Sequence, residues 1–278
     1  MSGCIRRREK RLSKLPRKVL NMIYIPTADG HNVPAELVSS GSERLVILSH
    51  GIATNKDEDG IYTTFAEEIL APEFDSIRFD FRGHGHSTLR SEEATIAGEI
   101  LDFMAVVRWS RQQGYKNLFH VGTSFGASIT LLCAARFSFH DFSSFVFWNP
   151  VINYDNTFIN STVSWGKEFF SQKTLDELAY KNGIAIPETN FVIGPRMAME
   201  LLNFHPDATI WPLGLPLLVI HGDKDSAVPC YDALEYQKRN DRVVTLRIIQ
   251  GVDHGFDDKI SDVYELTAEW FRLANKTS

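Results

Sequence analysis

Short apolar runs alternate with longer stretches in which apolar residues recur at helical spacing. Residues 20–25 and 33–39 are extended runs flanking Asp29-Gly30, a hairpin signal, and predict an antiparallel edge pair. Further β-rich runs follow at 44–49, 76–81, 117–121, 145–148, 217–221 and 243–249. Between them the helical period predicts helices over 61–70, 94–113, 127–139, 231–239 and 262–273. In the second of these, Ile96, Ile100, Phe103, Met104 and Val107 form the apolar stripe and Gly114 stands where a C-cap is expected. Strand–helix alternation of this kind predicts an α/β fold: a mostly parallel sheet with helices on both faces.

The rhythm breaks between Val151 and Trp211. Strand-like runs disappear there, helical patches remain at 175–181 and 195–203, and large apolar residues accumulate, among them Phe158, Trp165, Phe169, Phe170, Phe191, Met197 and Met199. A structureless loop of such length is improbable in a compact domain, so an inserted cap is expected over 151–211. The core would then comprise 19–150 and 212–278, preceded by a basic extension over 1–18.

A total of 278 residues, 44% of them hydrophobic, suffices for a large core. The net charge of -6 argues against a nucleic-acid role for the body of the protein. Cys4, Cys133 and Cys230 have no metal-ligand spacing and form no disulfide framework, which predicts a reducing, cytoplasmic setting. No apolar run is long enough to span a bilayer, and no apolar h-region follows the basic start.

Chemistry concentrates at the predicted strand ends, where open α/β sheets bind ligands. Gly122-Thr123-Ser124-Phe125-Gly126 is a Gly-x-Ser-x-Gly sequence between a strand and a helix, the context in which the serine becomes an exposed nucleophile. Serine needs a base to take its proton, and the base needs a carboxylate to hold its tautomer. Asp225 and His254 stand at later strand ends in the expected chain order. Asp223 is the rival acid at the same strand end. Asn149, after the next strand, carries no charge with which to support an imidazolium and is set aside. His84 and His86 are read as ordering their loop, and His221 as a satisfied structural histidine.

The chain resembles the α/β-hydrolases, in particular the bacterial cinnamoyl and feruloyl esterases. The resemblance rests on His50-Gly51, Asp80-x-Arg82-Gly83-His84-Gly85-x-Ser87, Gly122-x-Ser124-x-Gly126, His221-Gly222-Asp223-x-Asp225-x-x-Val228-Pro229 and Asp253-His254-Gly255-Phe256. The insertion also resembles that of the bacterial acyl-thioesterase of luminescence. This resemblance implies Ser124 as nucleophile, His254 as general base and Asp225 as its partner. Through Asp225-x-x-Val228-Pro229 it selects Asp225 and leaves Asp223 to order its turn. It also implies an oxyanion hole from the backbone N–H groups of Ile52 and Phe125. His50, Trp165, Phe169 and Met199 are placed on the substrate pocket. Neither cofactor nor metal is expected. The expected substrate is a small-molecule ester of an apolar or aryl acid. The alternatives are a thioester on an acyl carrier protein, docked by the basic extension, and a non-catalytic binding module of the same fold.

Overall fold

The computed structural model describes residues 18–19, 22–178, 180–212 and 214–274. The basic extension expected over 1–18 lies outside the described residues, apart from the backbone of Lys18. The strands are β1 (Lys18–Val19), β2 (Ile23–Pro26), β3 (Asn32–Ser39), β4 (Arg44–Ser49), β5 (Asp75–Phe79), β6 (Asn117–Thr123), β7 (Phe142–Trp148), β8 (Ile184–Ala185), β9 (Val192–Ile193), β10 (Leu217–Gly222) and β11 (Val244–Ile249). The α-helices are α1 (Ile61–Thr64), α2 (Ile96–Gln112), α3 (Phe125–Ala134), α4 (Ser164–Phe169), α5 (Gln172–Glu177), α6 (Pro195–Leu201), α7 (Cys230–Arg239) and α8 (Ile260–Ala274).

One sheet runs in the order β1-β3-β5-β4-β6-β7-β10-β11, with β2 also on β3. From β5 to β11 all pairings are parallel; β3 joins β1, β2 and β5 antiparallel. Both faces of the parallel part are covered, so its strands read as continuous apolar runs. In β4, Leu45 and Ile47 pack on the face of α2 and α3, while Val46 and Leu48 pack on the face of α8. The chain winds to opposite sides of β4, through β5 and then β6, and such a switch opens a crevice at the carboxyl edge.

Three expectations need correction. The helix expected over 61–70 is α1 continued by a π-helical turn, Phe65–Leu70. The helix expected over 127–139 begins directly after Ser124 and ends at Ala134, leaving Phe139 in a loop, where it packs on Phe142 and Phe145. Strand structure does not disappear over 151–211, because β8 and β9 form a small antiparallel pair there. Two residues per strand are too few for alternation to register.

The 151–211 segment is tied tightly to the sheet layers. Phe158, Phe170, Phe191, Ile193, Met197, Leu201 and Trp211 belong to the same buried cluster as Ile47, Phe79 and Phe103. The Glu200 carboxylate on α6 accepts the Ile96 N–H at 2.5 Å, capping α2, and Gly194 lies against the Glu92 backbone.

Candidate active site

Ser124 sits between β6 and α3 with φ 51° and ψ −115°, outside the regions an L-residue ordinarily occupies. The surroundings enforce that strain. Its N–H donates to Trp148 O at 2.9 Å and its carbonyl accepts from Val151 N at 3.0 Å. A Cβ on Gly126 would lie 2.5 Å from both Ser49 O and His50 O. Only glycine therefore lets α3 start this close to the end of β4.

Asp225 follows β10. Its Oδ1 accepts from Ala227 N at 2.9 Å and Val228 N at 2.7 Å; its Oδ2 lies 2.8 Å from His254 Nδ1 and 3.1 Å from His221 Nε2. Burial alone would raise its pKa, but the two imidazoles outweigh burial and hold the carboxyl well below the usual carboxylate range. His254 is raised above its ordinary value: burial lowers it, and the Asp225 bond, with charge from Asp225, Glu58 and Asp253, overcomes that. Ser124 and His254 line one cavity of about 270 Å³. Among the described residues no hydrogen bond reaches the Ser124 hydroxyl, and His254 makes its side-chain bond at Nδ1.

Apart from Thr157, the rest of that cavity is apolar. Ile52, Val151, Phe158, Trp165, Ile186 and Val228 form most of its wall. Trp165 is fixed by its indole N–H donating to Ala227 O at 2.9 Å and by an edge contact with Phe158. The Phe125 N–H opens α3 and so has no helical acceptor, and the Ile52 amide lies in the turn after His50-Gly51.

Two pocket assignments do not hold. His50 is fully buried behind the wall: Phe81 N–H donates to its Nε2 at 3.0 Å, which leaves Nδ1 to donate to Gly51 O at 2.7 Å. Burial pushes its pKa down to about 4, so the neutral ring acts as a brace for the Gly51–Ile52 turn. Met199 is 57% exposed on α6 and does not line the cavity. The Phe169 side chain lies outside the described residues.

Other polar groups hold the loops. Asp80 accepts from Lys56 N at 2.7 Å and His86 N at 2.9 Å, joining the loops after β4 and β5. His84 is buried between His50 and Phe191, which stacks on it at 4.3 Å. Asp223 accepts the Gly251 N–H at 2.5 Å and so ties the turn after β10 to the turn after β11. Asn149, at φ 42°, donates through Nδ2 to the His254 carbonyl and accepts Gly222 N–H on Oδ1 at 2.9 Å. It thus pins the His254 loop to β10. His221 does more than satisfy itself, since it faces the same Asp225 oxygen as His254.

The family model described as serine aminopeptidase, S33 (Hydrolase_4) matches residues 41–256, and the chain belongs to this family of hydrolases. Its fold is the α/β-hydrolase fold. It is similar in structure to Est1E from Butyrivibrio proteoclasticus with ferulic acid bound, at 19% identity and a TM-score of 0.76, covering 91% of this chain and 99% of that one. It is also similar to the Pyrococcus furiosus esterase Pf2001, at 19% identity and a TM-score of 0.66 over 92% of this chain and 91% of that one. The alpha/beta hydrolase GrgF from Penicillium sp. sh18 superimposes at 16% identity and a TM-score of 0.72, over 94% and 99% of the two chains. No curated protein matches the chain. Among the described residues no helix is long and apolar enough to cross a membrane.

Proposed function

We propose that the protein is a serine ester hydrolase for small or medium apolar or aryl acyl groups, with 151–211 acting as the cap that shapes its pocket. The observation that carries this reading is the convergence, at one apolar cavity, of a strained serine and an imidazole bonded to a buried carboxylate. Ser124 Oγ attacks the ester carbonyl as His254 takes its proton. Asp225 holds the ring with Nδ1–H toward itself, which leaves Nε2 free as the base. The Ile52 and Phe125 N–H groups receive the developing oxyanion. Such preorganised donors are each worth about 3–4 kcal/mol. His254 then protonates the leaving alcohol, an acyl-enzyme remains on Ser124, and water repeats the sequence to release the acid.

Among the described residues lining the cavity there is no carboxylate, lysine or arginine, so a free amine or a polyanion finds no counter-charge there. Phe158 and Trp165 offer ring faces and edges to an acyl chain or an aryl group, in keeping with the ferulic acid that Est1E holds. A panel of aryl esters and thioesters of graded acyl length, with wild type and Ser124→Ala, tests the reading. Ester turnover abolished by the substitution supports it, as does fluorophosphonate labelling of Ser124. Turnover that survives Ser124→Ala refutes it.

A further inference from the structure

We infer that Glu58 is a fourth member of this machinery: a positioning residue whose carboxylate anchors the Gly51–Ile52 turn and supplies His254 with a second negative charge from the Ser124 side. The inference rests on the ester-hydrolase reading and adds a residue to it.

The geometry centres on one glycine. Glu58 Oε2 accepts the Gly51 N–H at 2.9 Å. A Cβ on Gly51 would stand 3.4 Å from Glu58 Oε1, 3.1 Å from Ser124 Cβ and 3.6 Å from Ser124 Oγ. The Glu58 carboxyl and the Ser124 side chain thus both border the position that a Gly51 side chain would occupy. Asp225 approaches His254 at Nδ1, on the other side of the ring from the nitrogen that must serve Ser124. Asp225 thus holds the ring at Nδ1, while Glu58 stands at the glycine that borders Ser124.

The backbone is bent to bring Glu58 there. Glu58 and Asp59 both lie in the left-handed region, at φ 46° and φ 52°, which non-glycine residues rarely enter. Glu58 N donates to Asn55 O at 2.9 Å, and Gly60 N donates to Asp57 O at 2.9 Å. Asp57 in turn is held by Lys56 at 2.8 Å and Arg78 at 2.8 Å. Strain maintained by so many restraints is a mark of functional positions.

The charges that face each group can be named. Around Glu58 stand His254, Asp59 and the phenol of Tyr62, which bonds Thr123 at 2.6 Å. Around His254 stand Asp225, Glu58 and Asp253. Burial pushes Glu58 up to about 7, against the pull of the Gly51 N–H and of His254. Above that pH the carboxylate grips the turn and favours the imidazolium that forms when Ser124 is deprotonated. As pH falls through it, Glu58 takes a proton and both effects fade. The acid limb of kcat/KM in the wild-type protein should then contain two coupled protons, one of them on Glu58.

Glu58→Gln keeps the size and an oxygen for Gly51 while removing the charge. The expected result is a fall in kcat of about tenfold, the equivalent of one pKa unit of lost support for the imidazolium. KM should stay near wild type. The acid limb should become a one-proton curve displaced to lower pH, and fluorophosphonate labelling of Ser124 should slow in parallel. A folded Glu58→Gln enzyme with wild-type kcat and an unchanged acid limb overturns the inference. If that variant does not fold, NMR titration of the His254 ring in the wild-type protein decides: two coupled steps support the inference and a single step refutes it. An inactive Ser124→Ala beside an unaffected Glu58→Gln removes Glu58 alone, whereas an active Ser124→Ala removes the ester-hydrolase reading and this inference with it.

Discussion

Asp225→Asn isolates the carboxylate from everything else at the site, because the structure dictates which way the new amide must face. Oδ1 accepts from two backbone N–H groups, Ala227 and Val228, that cannot turn away. The asparagine oxygen has to stay on them, so its NH2 takes the place of Oδ2 and meets His254 Nδ1. Two donors cannot share that contact. The imidazole therefore changes tautomer: Nδ1 accepts from the amide, and the proton moves to Nε2, the atom that is the base in the proposed reaction. A base presented in the wrong tautomer costs about 10⁴ in kcat, or about 5 kcal/mol of barrier at 1.36 kcal/mol per decade. The packing hardly changes, so the variant should fold. Its stability should still carry a pH signature. A depressed acid contributes stability above its unfolded pKa and loses it as pH falls through the folded one, so the deficit in Tm should be full at neutral pH and shrink below pH about 4. Steady-state hydrolysis of a p-nitrophenyl ester at pH about 8, with circular dichroism to confirm folding, makes the measurement. Activity within about tenfold of wild type would refute the tautomer reasoning.

Gly126→Ala drives a methyl group into two carbonyls, Ser49 O and His50 O, that belong to the end of β4. It should cost several kcal/mol of stability, at least the ~1–3 kcal/mol of an overpacked core, and lower Tm accordingly; a wild-type melting curve would contradict the close approach described for the elbow. Asn149→Ala leaves the buried Gly222 N–H without an acceptor and frees the His254 carbonyl. A loss of about 1–3 kcal/mol on denaturant unfolding is expected, with a lower kcat and a little-changed KM, and an unchanged kcat would deny Asn149 its positioning role. Asp232, buried beside Asn156, is pushed up to about 6 by burial, so the folded state holds its proton more tightly than the unfolded chain. Stability is lost as pH rises toward that value, and Asp232→Asn should melt above wild type beyond pH about 6 but not below pH about 4; equal melting at both ends would contradict the shift.

Most of the sheet is legible in the chain because its strands are buried on both faces. A continuous run such as Leu45-Val46-Ile47-Leu48 suits a strand with an apolar layer above and below it, and its shortness disfavours a helix. The π-helical turn after α1 is not legible, because a helix with one wide turn keeps nearly the apolar spacing of a regular one. At the site, the sequence exposes residues whose type and place in a motif point to chemistry. Ser124, Asp225 and His254 are of that kind: the structure brings Ser124 and His254 to one cavity and sets Asp225 behind the His254 ring. His50 is conspicuous in the same way, yet its Nε2 is occupied by Phe81 N and its ring is turned inward. Function carried by a contact leaves less trace. Asn149 has no charge to mark it, and its work is done with an amide. Glu58 is one acid in the run Asp57-Glu58-Asp59, and a left-handed backbone with a bond to Gly51 sets it apart. His221 differs from a bystander only by its 3.1 Å approach to Asp225.

The burial of the 151–211 segment into the common core bears on how the enzyme can turn over. Phe191, Ile193, Met197 and Leu201 are each at most 5% exposed. Bringing side chains of this kind into water costs about 1.5–3 kcal/mol apiece. Lifting the segment as a lid would consume much of the roughly 5–15 kcal/mol that holds an ordinary domain together. In the proposed ester hydrolase, entry and exit should then proceed with these four side chains left in place. Turnover in such an enzyme is not timed by a hinge, and solvent viscosity should affect kcat only through diffusion at the mouth. Selection among substrates then depends on the fixed shape of the wall that Phe158 and Trp165 present, and changes of specificity should arise from substitutions on that inner surface.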